Sequence, residues 1–355
     1  MKRFLIVNPF GIGDVLFTAP VIKSIKKHYP DAFIGYWCNE RVEDILKNNP
    51  YIDKIFAISR GDLKKIFRIS KWLGIKHLFR LLGDIKRGHF DICLDFSLDY
   101  RYSLISKILR IRRRIGLNYK NRGKFLTDKI DVTGYQDKHA IEYYADLLKF
   151  INIESNDKTL DLFLSRENIL RSKDILAKLG IFHNDIVIGL VPGGGLSWGE
   201  HGLFRHWPPQ RFAQLADRLI EDLKAKIIIF GDASEVVIAD KITALMKNKI
   251  INLAGKTTLT ELAGVLSNSG LLICNDSGTL HIAKALKLKT VSLFGPGDEN
   301  AYGPYPLTDR DIIIKKEMSC RPCYKNFRFY GCSNNHKCLE DITVDEVYLA
   351  ARRLM

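Results

Sequence analysis

Phe4-Leu5-Ile6-Val7-Asn8-Pro9-Phe10-Gly11-Ile12-Gly13-Asp14-Val15-Leu16 is the stretch on which the fold turns. Its apolar run reads as a buried strand ending at Asn8, of the kind parallel sheets contain. Gly11 and Gly13 let the backbone come close to a ligand. The helix that opens after them, over about Asp14 to His28, offers its N-terminus to an anion. The third glycine of a dinucleotide fingerprint is missing, with Thr18 and Ala19 standing where it would fall. No Gly-Lys-Ser/Thr follows to make a phosphate-binding loop. Asp14 has two readings. It is a helix N-cap, the usual post of aspartate at such a place, or a carboxylate at the C-terminal end of a strand, where open α/β sheets put their ligands. The motif alone favours the cap.

The same grammar continues outward. Ala32–Trp37, Ile55–Ile58 and Asp91–Phe96 read as strands, with a long helical pattern over residues 61–88. In the second half Ile186–Val191, Lys226–Phe230, Ile250–Asn252, Leu271–Cys274 and Thr290–Phe294 read as strands separated by helices, after an irregular stretch from Asp128 to Asp185. Strands alternating with helices imply right-handed βαβ units and parallel sheets. The series occurs twice, so the expectation is two Rossmann-like α/β domains facing each other, over residues 1–170 and 180–340. A last helix, 341–355, is expected to pack back toward the first domain.

Composition narrows the class. Of 355 residues 46% are hydrophobic and 27% charged, which excludes a disordered or fibrous chain. Seven cysteines are too few for a disulfide scaffold. No apolar run approaches the ~20 residues that span a bilayer, and Met1–Pro9 is interrupted too soon for a signal peptide. A cytoplasmic protein is expected. The net charge is +15, and it is lopsided: residues 1–180 hold 34 basic and 21 acidic side chains (+13), the remainder 21 and 19 (+2). Such a basic half calls for an anionic partner. Residues 101–127 hold no acid and nine basic side chains, among them Arg112, Arg113 and Arg114. In the 61–88 pattern Leu63, Ile66, Phe67, Trp72, Leu73, Leu78, Phe79 and Leu82 fall near helical spacing beside Lys64, Lys65, Arg68, Lys71 and Arg80, a basic amphipathic helix suited to an anionic membrane surface. Nucleic acid would feel the same field, but no DNA- or RNA-binding signature is present, and none is expected as partner.

Two later segments repeat the strand-to-turn pattern. Val191-Pro192-Gly193-Gly194-Gly195 runs a strand into glycines, and Arg205, in Phe204-Arg205-His206-Trp207-Pro208, is able to grip a phosphate with two nitrogens. Leu271–Cys274 runs into Asn275-Asp276-Ser277-Gly278-Thr279-Leu280-His281. There Asp276 is placed to accept from ribose hydroxyls, and the amides of Ser277, Gly278 and Thr279 lie where a helix N-terminus binds phosphate. His281 follows one turn into the helix. Asp95 and Asp99, the nearest approach to a metal-binding Asp-x-Asp, read as helix caps. Cys320-x2-Cys323-x8-Cys332-x5-Cys338, with His336 nearby, admits a structural zinc; reduced thiols are the plainer alternative, and a disulfide suits a cytoplasmic protein less. Cys38, Cys93 and Cys274 lie in or beside strands and read as buried.

Together, Gly11-Ile12-Gly13-Asp14-Val15-Leu16-Phe17-Thr18-Ala19-Pro20, Arg205-His206-Trp207-Pro208, Asn275 to Ala283 and Phe294-Gly295-Pro296 resemble glycosyltransferase family 9, the heptosyltransferase-like enzymes of lipopolysaccharide core assembly. The resemblance implies a GT-B fold, with donor held mainly by the C-terminal domain and acceptor by the N-terminal one. It implies an inverting, metal-independent transfer with no cofactor required. Asp14 falls on the family's proposed catalytic carboxylate, and Asp276, Ser277, Gly278 and His281 on its nucleotide-sugar site. Gly193, Gly194, Arg205 and Thr279 are expected at the donor. Gly11, Gly13 and the Arg112–Arg114 triplet are expected at an anionic glycolipid acceptor at the inner face of the cytoplasmic membrane. The donor is expected to be ADP-heptose. Arg205 stands where the family commonly has Lys, so a transferase of another nucleotide sugar remains the alternative.

Overall fold

In the structure, a computed structural model that describes residues 1–59, 61, 68 and 70–355, Phe4 to Val7 have no exposed surface and form the middle of a sheet. The first unit, Met1–Thr159, contains β1 (Arg3–Asn8), β2 (Phe33–Cys38), β3 (Lys54–Ala57), β4 (Ile92–Asp95), β5 (Arg113–Tyr119) and β6 (Asp128–Val132). They pair in parallel in the order β3-β2-β1-β4-β5-β6. The second unit, Leu160–Met355, contains β7 (Val187–Val191), β8 (Lys226–Ile229), β9 (Ile251–Asn252), β10 (Leu271–Asn275), β11 (Lys289–Phe294) and β12 (Asp311–Lys315). Its order is β12-β11-β10-β7-β8-β9, again all parallel. Each is the doubly wound order, in which the direction of winding reverses beside the first strand of the unit. That reversal opens a crevice at the C-terminal strand ends, between β1 and β4 in one unit and β7 and β10 in the other.

Apolar faces account for the rest. In the second unit the helix Pro209–Leu223 buries Phe212, Leu215, Ala216 and Leu219 on a core with Trp207, Ile227 and Leu293. In the first, Leu5, Val7, Trp37 and Cys93 pack with Ile85 and Tyr102.

The structure revises these expectations in part. The single helix from Asp14 to His28 is two, Ile12–Leu16 and Ala19–His28, because Pro20 in the opening turn of the second has no N–H to continue the first. The irregular stretch contains β6 and the helix Arg166–Lys178. That helix belongs to the second unit, since Ser172 packs where a Cβ on Gly264 would come within 2.9 Å of it, and the boundary therefore falls at Thr159/Leu160. The last helix, Val344–Leu354, buries Val347, Tyr348, Ala351 and Leu354 in the core of the second unit, its own. Of the 61–88 pattern, Lys71–Arg87 is helical; Leu63, Lys64, Lys65, Ile66 and Phe67 lie outside the described residues.

Candidate active site

Two groups of polar residues gather at C-terminal strand ends, one in each unit. In the first unit the loop after β1 is shaped by Asn8, whose Nδ2 donates to the Asp14 carbonyl at 2.9 Å and whose Oδ1 accepts from the Phe10 amide at 3.2 Å. Gly11 is the N-cap of the helix Ile12–Leu16, which has no side-chain cap, so Asp14 stands in the first turn and is not the cap. A Cβ on Gly11 would meet nothing within 4 Å, which leaves the backbone open to an incoming group. Asp14 is half-buried. Burial pushes its carboxyl up to about 6; the amides of Gly11 and Asp14 itself and the Tyr144 hydroxyl draw it back only in part. Tyr36, fully buried, bonds Thr18 Oγ1 at 2.9 Å from the neighbouring strand, and the charge of Asp14 bears on both tyrosines.

Asp95 is a second carboxylate at this edge. It ends β4 opposite Val7, accepts from the Ser97 amide at 2.9 Å, and is raised by burial to about 6. It caps no helix, whereas Asp99 caps Tyr100–Ile108 as expected.

Arg112, Arg113 and Arg114 are not with Asp14. Arg113 pairs with Ile92, and Ile92 with Phe4, so the triplet enters the sheet at its N-terminal edge. The height of a strand, roughly 13 Å for four residues, separates that edge from the loop after Asn8. Two of the three guanidinia are also engaged there. Arg113 grips Asp128 with Nε at 3.0 Å and Nη2 at 3.1 Å, and Arg114 donates to the carbonyls of Phe125 (2.7 Å) and Ile111 (2.6 Å). The triplet therefore stands at the opposite edge of the sheet from the Asp14 loop.

In the second unit the loops after β7, β8, β10 and β11 converge. Arg205, 4% exposed, donates to the carbonyls of Gly194, Gly195 (3.3 Å) and Asp276 (3.1 Å), and its Nη1 lies 3.8 Å from Asp276 Oδ2. It therefore ties the loop after β7 to the turn after β10. Glu235, after β8, accepts from the Gly195 amide and the Asp232 amide, both at 2.9 Å. A Cβ on Gly193 would fall 1.7 Å from its Oε1, so a side chain there would have to displace the Glu235 carboxylate, and Gly195, at φ +70°, favours glycine by its backbone. Burial raises the carboxyls of Asp276 and Glu235, opposed by the Arg205 charge. Asn275, with no exposed surface, donates to the Pro192 carbonyl at 2.6 Å and accepts from the Trp207 amide at 3.2 Å. Ser277 is the N-cap of the helix Gly278–Ala285, and its hydroxyl is buried. Gly278 and Thr279 are half-buried in the first turn, and His281 is buried behind them.

The structure thus brings Gly193, Gly194, Arg205, Asp276, Ser277, Gly278, Thr279 and His281 to one edge of one sheet. It adds Glu235 and Asn275, which the sequence reading passed over. Glu235 had a signal, the Gly231-Asp232 turn leaving a strand; Tyr36 and Tyr144 had none, because only the fold puts them beside Asp14. The four late cysteines lie in the same unit, between β12 and the last helix, and all are free thiols. Among the described residues no three His, Cys, Asp or Glu side chains form a ready-made ligand set for a metal.

Comparison with known proteins bears on the fold and the family. The chain is 26% identical to lipooligosaccharide heptosyltransferase 2 of Haemophilus ducreyi over 99% of both chains. It superposes on the glycosyl transferase family 9 protein of Veillonella parvula with a TM-score of 0.80, at 23% identity over 99% of this chain and 97% of that one. On E. coli ADP-heptose LPS heptosyltransferase II the TM-score is 0.77, at 21% identity over 100% and 98%. These likenesses carry the GT-B fold. The profile of glycosyltransferase family 9 (heptosyltransferase) matches residues 78–333, a span that takes in β4 and the whole donor-side cluster, and by that match the chain belongs to glycosyltransferase family 9.

Proposed function

We propose that this glycosyltransferase moves a heptose from ADP-heptose to an inner-core acceptor of lipopolysaccharide, inverting the anomeric carbon, with Asp14 as general base. The observation that carries the reading is Asp14 itself, a half-buried carboxylate at the switch point of the first sheet, poised at about 6. A base of that strength is ionised at neutral pH yet able to hold a proton. As the acceptor oxygen bonds to the anomeric carbon, its proton passes to Asp14, and the bond from that carbon to the diphosphate oxygen breaks. The leaving ADP takes the electron pair. The amides at the start of the helix Gly278–Ala285 and the nearby Arg205 charge offset the negative charge that develops. Arg205 acts mainly by position, since its nitrogens hold three carbonyls. The name of the E. coli relative supports ADP-heptose as donor. A panel of ADP-, UDP- and GDP-sugars, without added divalent cation, tests the donor, and NMR of the product tests inversion. Turnover of a UDP- or GDP-sugar in preference to ADP-heptose would overturn the donor assignment.

The acceptor is a membrane glycolipid in this reading, and the helix Lys71–Arg87 is the surface that meets the bilayer. Its second half is anchored through Ile85, while Trp72 (74%), Phe79 (69%) and Leu73 (52%) remain exposed beside Lys71, Lys76 and Arg80. Apolar side chains flanked by cations suit an anionic lipid surface. Among the described residues no helix is long and apolar enough to cross a membrane.

A further inference from the structure

Cys320, Cys323, Cys332 and Cys338 take no part in the transfer, yet the fold collects them. Cys320 lies in the turn from Met318 to Arg321, and the Cys323 thiol donates to the Cys320 carbonyl at 3.2 Å. A hairpin of Tyr324–Lys325 against Arg328–Phe329, closed by Asn326 and Phe327 at φ +54° and +58°, leads the chain to Cys332, and Cys338 lies in the short helix Lys337–Glu340. All four border one cavity of about 10 Å³, with His336 on its rim. That volume suits one atom-sized occupant. The His336 amide donates to Cys332 Sγ at 3.3 Å, a contact that steadies a thiolate. As they stand the four sulfurs do not form a closed ligand set, so a bound ion would have to draw them together around the cavity they share. Four soft sulfur ligands select zinc or iron in tetrahedral geometry.

This segment is also fastened to two walls of the donor-side cluster. Arg321, between the first two cysteines, donates to the carbonyls of Gly295 (2.5 Å) and Gly297 (3.3 Å) and pairs with Glu299 at 2.9 Å. The amides of Cys323 and Tyr324 both donate to the Pro296 carbonyl, at 2.9 and 3.1 Å. Leu339, next to Cys338, lies 2.7 Å from where a Cβ on Gly295 would stand. The turn so held abuts Asp276, whose Oδ2 would be 2.6 Å from a Cβ on Gly297. On the other side the ring of Phe204, the residue before Arg205, packs on His336 (4.5 Å) and Phe329 (4.7 Å).

We propose that Cys320, Cys323, Cys332 and Cys338 bind one zinc or iron ion as a tetrathiolate, and that this centre fixes the Gly295–Gly297 turn and the Phe204–Arg205 segment around Asp276. The four thiols release their protons to solvent on binding. The consequence for donor binding rests on the transferase reading; the metal site does not.

The test uses the full chain purified under reducing conditions. Elemental analysis is expected to find about one zinc or iron per chain, iron being recognised by its thiolate absorption in the visible. The metal is expected to be lost in Cys320→Ser and Cys332→Ser and kept in Cys38→Ser. In case a variant misfolds, a chelator is applied to the wild type. Amide hydrogen exchange in residues 294–299 and 203–206 is then expected to rise at least tenfold, with β7 unchanged. A wild type that holds no metal after reconstitution with zinc(II) or iron(II), or a disulfide found by mass, would overturn the site. Unchanged exchange at 294–299 after metal removal would overturn the fixing role. Failure of metal-loaded protein to bind ADP would instead count against the transferase reading.

Discussion

Replacing Asp14 by asparagine is expected to make the protein more stable and much less active, with a pH signature tying both effects to one proton. Below pH 3.8 the folded and unfolded chains both hold that proton, and the carboxyl costs no stability. Between 3.8 and about 6 the unfolded chain ionises while the folded chain stays protonated, so stability falls as pH rises; above about 6 the full cost persists. A rise from 3.8 to about 6 corresponds to about 3 kcal/mol, which solvent at a half-buried site reduces to about 1–3 kcal/mol. Asparagine keeps the shape and an acceptor for the Gly11 amide without the charge. At pH 7.5 the melting temperature of Asp14→Asn should therefore exceed that of wild type by a few degrees, and at pH 3.5 the two should coincide. Turnover at pH 7.5 should drop ~10²–10⁴-fold, while wild-type kcat/KM should rise about tenfold per pH unit below about 6 and then level off. Comparing the two proteins at each pH cancels Asp95, Glu235 and Asp276, which are common to both. Equal destabilisation of the variant at both pH values, with near-normal turnover, would refute the argument and leave Asp14 a structural acceptor for the helix start.

Gly193→Ala should push Glu235 off the amides of Gly195 and Asp232, costing about 1–3 kcal/mol in urea melts and weakening ADP binding more than tenfold by calorimetry; unchanged affinity would mean that the loop does not shape the donor site. Arg205→Lys keeps the charge but loses the forked grip on Gly194, Gly195 and Asp276, so at a cost of about 1.5–3 kcal/mol per lost charged hydrogen bond it should weaken ADP binding, and a fully competent lysine variant would show that charge alone suffices. Co-sedimentation with anionic vesicles should fall sharply when Trp72 and Phe79 become Ser and Lys76 and Arg80 become Glu, since each exposed cation contributes ~1 kcal/mol near such a surface; binding that survives all four changes but is lost in Arg112/Arg113/Arg114→Ser would move the contact to the other patch.

Nine of the twelve described strands of the two parallel sheets were legible as short apolar runs, because a strand covered on both faces must be apolar throughout. The three that were not, β5, β6 and β12, each mix charge with apolar residues. β5 opens on two arginines that bond at the sheet margin, and β6 alternates Asp and Lys with Ile and Val as an edge strand does. The donor-side residues were legible because strand, glycine turn and helix follow one another in the sequence. The separation of the arginine triplet from Asp14 was not legible from charge alone: only the pairing of Ile92 with Arg113 reveals which edge those side chains occupy. What sets Asp14 apart is burial, and the fold adds to its surroundings Tyr36 and Tyr144, far along the chain, which no local pattern announces.

Asn275 gives the donor side a resistance to chemical ageing. Deamidation of an asparagine begins when the next backbone nitrogen attacks the side-chain amide, and the product at this position would set a carboxylate against the Pro192 carbonyl, to which the amide now donates. The attacking nitrogen here is that of Asp276, and its N–H is held by the Leu293 carbonyl at 3.1 Å. The amide under attack is held at both ends, by Pro192 at 2.6 Å and by Trp207 at 3.2 Å. Cyclisation would have to break all three bonds in a strand with no access for water. The residue whose slow hydrolysis would most directly part the loops after β7 and β10 is thus kept from that hydrolysis by the same bonds that join them, and its lifetime is that of the folded state.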